Sequence, residues 1–418
     1  MGMNLRSFRT KRWIFAWVQA AVIAGLPFLR VNGESALRFD IPTLKLYFFG
    51  SVIWISEAYF FLLVFLFFAT AVMLFTVIYG RIWCGWACPQ TVLSEFAGRI
   101  DRIALWMGLH PVLRRFLSHL LLVLFSCFVA LTLVWYFISP YDLAAESVAG
   151  AVGPWTFWSW VFFSSLIYLD LAFVRHRFCS VVCPYARFQS AFFDDRTLTI
   201  GFERSRENEC LGCEACIRAC PAGVDIRKGL QVECINCAEC IDACSTQMQR
   251  KHRSPLVRYL RGMSGRESAG RMRPRVFWLS ALVAVLSVLL VYQIWVRIPV
   301  GFWVLRDESQ PYHQAGIRGN LLNAYNIIIE NRSLEPGTYE LSVSGIKDAE
   351  LVVSANPLRL PANSMVKMRV YVFALRRNVV DRITQLHFTL RAAGSRELQV
   401  SQEAPFLYPE RSDKGVDI

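Results

Sequence analysis

Five stretches of this chain, roughly 13–29, 58–79, 117–138, 155–174 and 276–296, are long and almost uninterrupted in their apolar character. A helix of about 20 such residues crosses a hydrocarbon layer of about 30 Å. Lipid offers the backbone no hydrogen bonds, so runs like these must be helices that satisfy their own. The first run is short, holds Pro27 and ends PFLRVNG, without the small-residue pattern of a cleaved signal, so it reads as a retained anchor. The 55% hydrophobic content of the 418 residues agrees with a membrane protein.

The net charge of +13 collects at the ends of these runs. Residues 1–12 carry Arg6, Arg9, Lys11 and Arg12 with no acid, and 99–115 hold four arginines against Asp101. Residues 245–275 hold nine Lys and Arg against Glu267 alone, while loop 139–154 has only Asp142 and Glu146. Basic loops stay in the cytoplasm. The amino terminus and the loops 80–116 and 175–275 are therefore predicted inside, and the tail after the fifth run outside. Charges that flank spans are explained by orientation, so nucleic-acid binding is not the reading of this basic chain.

Of the thirteen cysteines, twelve fall on the predicted inner side, Cys127 lies within the third run, and the predicted exported tail has none. Disulfides persist in oxidising compartments, so this distribution points to metal ligands or redox groups. Residues 210–221 read CLGCEACIRACP and 234–245 read CINCAECIDACS, each a C-x2-C-x2-C-x3-C run. That is the two-cluster ferredoxin spacing, in which the fourth cysteine of each run serves the other cluster. It assigns Cys210, Cys213, Cys216 and Cys244 to one [4Fe-4S] centre and Cys234, Cys237, Cys240 and Cys220 to the second. A pair of zinc sites is the weaker alternative. The first run is followed by Pro221 and the second by Ser245. Serine keeps a backbone N–H that proline lacks, and hydrogen bonds near cluster sulfurs tune potential, so unequal potentials are expected.

A second cysteine pattern occurs twice. YGRIWCGWACPQ and HRFCSVVCPY place Cys84–Cys88–Pro89 and Cys179–Cys183–Pro184 just beyond apolar runs, an internal repeat of a span followed by CxxxCP. Positions i and i+4 share a helix face, and proline after the second cysteine predicts a turn or broken helix there. Side by side, the repeats would converge four thiols at the inner membrane surface. Such a site suits Cu(I), zinc or a third iron–sulfur cluster, a dithiol relay, or plain packing of small hydrophobes. Cys127 reads as core.

Other cofactors find little support. There is no C-x-x-C-H for haem, and among the histidines (110, 119, 176, 252, 313, 387) only His119 lies in a span. No G-x-G-x-x-G follows a strand. Asp170, an acid near the inner end of the fourth run, is a functional candidate by location, with Arg175 as its expected partner. Met365 and Met368 spell M-V-K-M on a predicted strand, where they face opposite ways and make no copper site. After residue 298, β-branched and aromatic stretches alternate with Gly, Pro and Asn, the pattern of a β-sandwich, most simply a docking module.

The predicted order is therefore transmembrane helices in 1–200 with the two CxxxCP phrases and a cytoplasmic ferredoxin domain at 201–250. A basic linker follows at 251–275, a last span at 276–297 and an exported sandwich at 298–418. The fold class is an α-helical transmembrane bundle of about five spans, an α+β two-cluster ferredoxin domain and an all-β immunoglobulin-like sandwich.

This order of parts resembles the cytochrome c oxidase accessory protein family called CcoG, FixG or RdxA, the membrane-bound polyferredoxins, over nearly the whole chain. The sharpest stretches are GRIWCGWACPQT, CPYARFQSAFFDDRTL, CLGCEACIRACP and GLQVECINCAECIDAC. The resemblance implies a bacterial inner-membrane protein that helps build cbb3-type cytochrome oxidase by supplying reduced copper. On that reading Cys84, Cys88, Cys179 and Cys183 bind copper or relay electrons, and the expected activity is cupric reduction. The implied partners are membrane lipid, a cytoplasmic electron donor, a copper chaperone or transporter, and oxidase assembly proteins. Two rival functions stay open: a quinol-linked subunit of a reductase complex, and a non-redox assembly scaffold.

Overall fold

The computed structural model describes residues 7–407, apart from 195, 230, 232, 262–272, 308–312, 316–319, 376–377, 379–382 and 394–397. Arg6 and residues 262–272 of the basic linker lie outside the described residues. The chain forms two compact units, one of residues 1–49 and 54–293, the other of 50–53 and 294–418.

The first unit holds the helices. Among the described residues, four have the length and hydropathy of membrane spans: α2 (Ala58–Tyr79), α5 (Pro111–Val134), α7 with its continuation (Pro154–Val174) and α11 (Pro274–Val296). The fifth expected span is the exception. Residues Phe8–Gly25 form an 18-residue helix, α1, whose Arg9, Lys11 and Arg12 make it too polar to qualify by hydropathy. Its contacts nevertheless run the length of the bundle. At its start, the Asp242 carboxylate accepts from Phe8 N–H (3.0 Å) and Arg9 N–H (2.8 Å), filling helix-end donors and complementing the dipole. At its far end, Tyr136 donates to the Ile23 carbonyl and Tyr141 to that of Phe28, both beyond the end of α5. Eighteen residues give about 27 Å at about 1.5 Å per residue.

Between the spans lie α3 (Ile82–Trp86), α4 (Pro89–Trp106), α6 (Pro140–Val148) and α8 (Pro184–Ala191). The bundle packs through Ala97, Leu122 and Leu171, all buried. Cys127 is half-buried, and its backbone carbonyl accepts from Trp160 Nε1 at 3.0 Å.

The ferredoxin insert is built from α9 (Ala215–Ala219), α10 (Glu239–Gln249) and an antiparallel pair, β1 (Leu198–Phe202) with β2 (Val257–Arg261), registered Ile200 opposite Tyr259. Ser245 lies inside α10, which continues to Gln249, whereas α9 stops before Pro221. Proline at the second position would remove an intrahelical bond and clash with the turn before it. The departure from the ferredoxin pattern thus lets α10 extend and carry Gln247 and Met248 to the wall of a cavity.

The second unit is an all-β sandwich. One sheet orders Glu350–Val352, Ser364–Ala374, Asn320–Asn331 and Val300–Arg306; the other orders Leu358–Leu360, Gly337–Ser344, Ile383–Ala392 and Gln399–Leu407. Alternate residues face inward, so Tyr325, Ile327 and Val372 meet Leu386, Phe388 and Phe406 in one core. Met365 is exposed while Met368 packs toward that core, so the two methionines do not share a face.

Candidate metal centres

The two cysteine runs of the insert fold alike. Each passes twice through positive φ, at Gly212 (62°) and Glu214 (53°) in the first and Asn236 (53°) and Ala238 (64°) in the second. Turns of this kind aim successive N–H groups inward and make concavities for anionic groups, iron–sulfur centres included. Two cavities result. One is lined by Cys210, Cys213, Cys216 and Cys244, with Phe202, Leu211, Arg227, Met248, Leu256 and Val257 among its walls. The other is lined by Cys220, Cys234, Cys237 and Cys240, with Ile200, Ala222, Val224, Ile226 and Ile235. The fourth cysteine of each run lines the cavity of the other run's first three.

The cavities differ in exposure. Cys237 and Cys240 are buried, while Cys213 is exposed and its neighbour Leu211 is 40% exposed. Burial pushes the Cys237 thiol up to about 12 and raises that of Cys240, to which neighbouring thiols add. Thiols of this kind stay protonated at neutral pH unless cations claim them, and a bound metal displaces their protons. Val224 N–H donates to Cys220 Sγ at 3.4 Å. Arg12, 2% exposed on α1, donates to the Cys237 carbonyl and pairs with Glu95 and Glu239.

The CxxxCP phrases repeat in three dimensions. Gly80 (φ 61°, ψ −135°) and Arg175 (φ 49°, ψ −125°) occupy equivalent places after their spans. Cys88 N–H bonds the Trp83 carbonyl and Cys183 N–H that of Phe178, both at 2.9 Å. Each second cysteine is extended, and its proline opens the next helix, α4 or α8. The helix therefore breaks where proline predicted. The four thiols are neighbours: Cys84 lies in the field of Cys88 and Cys179, and Cys179 in that of Cys88 and Cys183. Among the described residues, however, no three His, Cys, Asp or Glu side chains form a group able to hold a single metal ion. Burial lifts the Cys84 thiol to about 11 and raises that of Cys179.

This site abuts the second cavity. Cys84 clusters with Ile235 and Cys237, and Cys179 and Tyr185 pack against them. Gly85 makes the approach possible, because a Cβ there would overlap the Ile235 carbonyl oxygen and stand 3.0 Å from Cys237 Cα. Gly80 admits the neighbouring strand in the same way, a Cβ falling 2.5 Å from the Leu198 carbonyl oxygen. Cys84 Sγ donates to Gln189 Oε1 (3.1 Å), and Gln189 Nε2 donates to Thr76 Oγ1 (3.1 Å) at one end of an apolar cavity lined by Phe65, Phe68 and Met73.

Two features escaped the sequence. Arg81, 2% exposed, lies where its charge favours the thiolates of Cys84, Cys179 and Cys234, so one guanidinium serves both cysteine sets. Its signal in the sequence was a basic residue between Gly80 and the first CxxxCP phrase. The second corrects the expected Asp170–Arg175 pair. Arg175 bridges Asp101 at 2.6 Å, and Asp170 accepts from Gln90 Nε2 at 2.6 Å. The π-helical turn Asp170–Val174 and the positive φ of Arg175 separate the two side chains, and Gln90, just past Pro89, ties the first repeat to the second.

Apolar helices, paired ferredoxin runs and two four-thiol cavities define a membrane-anchored iron–sulfur electron-transfer protein. Comparisons agree. Residues 174–209 and 203–262 match a family described as "4Fe-4S dicluster domain", 61–109 one described as "4Fe-4S binding domain", and 290–409 the "IG-like fold at C-terminal of FixG, putative oxidoreductase". Protein RdxB of Cereibacter sphaeroides is 27% identical over 88% of this chain and 87% of its own length. Protein RdxA of the same organism is 27% identical over 94% and 92%. Nitrogen fixation protein FixG of Rhizobium meliloti is 26% identical over 54% and 49%. Over most of its length the chain is thus similar to proteins of the FixG/RdxA family.

Proposed function

We propose that this protein reduces Cu(II) to Cu(I) for the haem–copper centre of a cbb3-type cytochrome c oxidase during its assembly. Its seat is the bacterial inner membrane, with the amino terminus and ferredoxin insert cytoplasmic and the sandwich periplasmic. Cys210, Cys213, Cys216 and Cys244 would hold one [4Fe-4S] cluster, and Cys234, Cys237, Cys240 and Cys220 the other. When bound, the clusters supply one-electron carriage.

One observation carries the reading: Cys84 shares a buried cluster with Ile235 and Cys237, and Cys179 packs against that cluster, so the CxxxCP thiols adjoin a cysteine of the buried cavity. Gly85 keeps that distance short. Arg81 favours thiolate on both sides of the contact. Cu(II), as substrate beside Cys84, Cys88, Cys179 and Cys183, would take one electron and become Cu(I), and any thiol that ligates it would release its proton. Thiolates are soft ligands that suit the product. A copper chaperone or transporter would receive it, and the sandwich would dock oxidase assembly proteins.

A second reading has its own support. The family matching residues 61–109, which include Cys84 and Cys88, is described as binding 4Fe-4S, favouring an iron–sulfur group at the four CxxxCP thiols. Anaerobic membranes carrying Cys84→Ser with Cys179→Ser decide. The copper reading expects cupric reduction to fall at least tenfold with iron content unchanged. Undiminished reduction would reject it, and a parallel loss of iron would favour the second reading.

A further inference from the structure

We propose that the face around Cys210–Glu214 and the carboxyl end of α10 is the docking surface for an acidic one-electron carrier protein. This rests on the two-cluster reading and deepens it by giving electron traffic a direction through named surfaces. The insert has two unlike thiol cavities. The one around Cys237 is buried and abuts Cys84, Gly85 and Cys179. The one around Cys213 is bounded by the exposed segment Leu211–Glu214. Charge from a soluble partner therefore arrives beside Cys213 and departs beside Cys237.

The surface beside the exposed cavity is basic. Met248 lines that cavity, and its carbonyl accepts from the backbone N–H of both Lys251 (2.9 Å) and Arg253 (3.0 Å). The turn thereby fixes Arg250, Lys251 and Arg253, all exposed, beside the cavity wall. On the other side, exposed Arg218 donates to the Cys213 carbonyl at 2.8 Å. Among the described residues, Arg218, Arg250 and Lys251 make no ion pair with this chain's own carboxylates. Glu214, exposed on the same face, lies 3.8 Å from Arg227, and a patch of net positive charge steers an oppositely charged protein and orients its approach. The reduced carrier would give up one electron per encounter, one Cu(II) would become Cu(I), and no atom would change hands. A bilayer surface would also bind a basic patch, but it has no use for an exposed thiol cavity at its centre.

The test uses the full-length, anaerobically purified protein in lipid nanodiscs and a small acidic ferredoxin as probe. Binding is measured for wild type and for Arg250→Glu with Lys251→Glu, at low and high salt. We expect at least a tenfold loss of affinity in the variant, a loss of similar size in wild type at high salt, and carbodiimide cross-linking of the probe's carboxylates to Lys251. Affinity within twofold of wild type, or cross-links confined to Lys11, would overturn the assignment. So would normal probe binding with lost flotation on anionic vesicles, which would make the patch a lipid contact. Iron and sulfide analysis keeps the underlying reading separate: a chain without iron that still binds the probe would sink the cluster reading and leave the docking surface standing.

Discussion

Replacing Gly85 by alanine adds one methyl group where the CxxxCP phrase meets the ferredoxin insert. The new Cβ would overlap the Ile235 carbonyl oxygen and lie 3.0 Å from both Cys237 Cα and Cys237 N. These neighbours are backbone, so no side-chain rotation relieves the overlap. Restoring ordinary contact requires the loop to retreat by about 1 Å, and a gap of that size forfeits a quarter to a half of the attraction along the contact. Overpacking of this kind costs about 1–3 kcal/mol. Gly98→Ala is the control, since a Cβ there meets nothing within 4 Å and alanine favours a helix interior by about 1 kcal/mol. The assay is Cu(I) formation in reduced, anaerobic protein, with thermal unfolding and iron content measured alongside. Gly85→Ala should slow copper reduction severalfold and lower the unfolding temperature while keeping its iron; Gly98→Ala should do neither. A Gly85→Ala protein with unaltered rate and stability would refute the claim that this contact joins the two thiol sets.

Three further outcomes follow from the same geometry. Cys244→Ser should remove the EPR signal belonging to the Cys210 set and spare that of Cys234, although Cys244 and Cys234 share a run; loss of one common signal in Cys244→Ser and Cys234→Ser would deny the crossover. Ser245→Pro should break α10 at its midpoint, costing about 3 kcal/mol, and release iron from the Cys210 set first, which iron analysis during mild heating would detect. Asp194 is subject to burial, which raises its pKa, but hydrogen bonds from Arg273 and the Arg196 N–H more than offset this and hold it below the usual carboxylate range. A depressed pKa contributes stability above the unfolded value that is lost as pH falls through the folded one. Melting temperature should therefore drop on acidification below about pH 4 more steeply in wild type than in Asp194→Asn.

Much of this was legible because the signals were local. Ala58–Tyr79 reads as a span from hydropathy alone and is a helix over those same residues. Cysteine spacing named both four-thiol sets, since spacing within a turn and one helix fixes which thiols can face a common cavity. The doubled CxxxCP phrase announced a repeat that the backbone reproduces down to the positive φ at Gly80 and Arg175. What stayed hidden depended on contacts distant in sequence. Arg12 reads as a topology charge, yet it is buried against Cys237. Gly85 carries no signal of its own in the sequence, and its role emerges only where Ile235 presses on it. The Asp170–Arg175 pairing failed because a π-helical turn, invisible to periodicity, rotates the two side chains apart.

The most direct measurement is rapid-freeze EPR after mixing the fully reduced anaerobic protein with one equivalent of Cu(II). Loss of the Cu(II) signal should match, electron for electron, the loss of the reduced-cluster signal assigned to Cys220, Cys234, Cys237 and Cys240, and Cys84→Ser with Cys179→Ser should abolish both changes. A Cu(II) signal that persists beside fully reduced clusters, or fades equally fast in the double variant, would contradict the account.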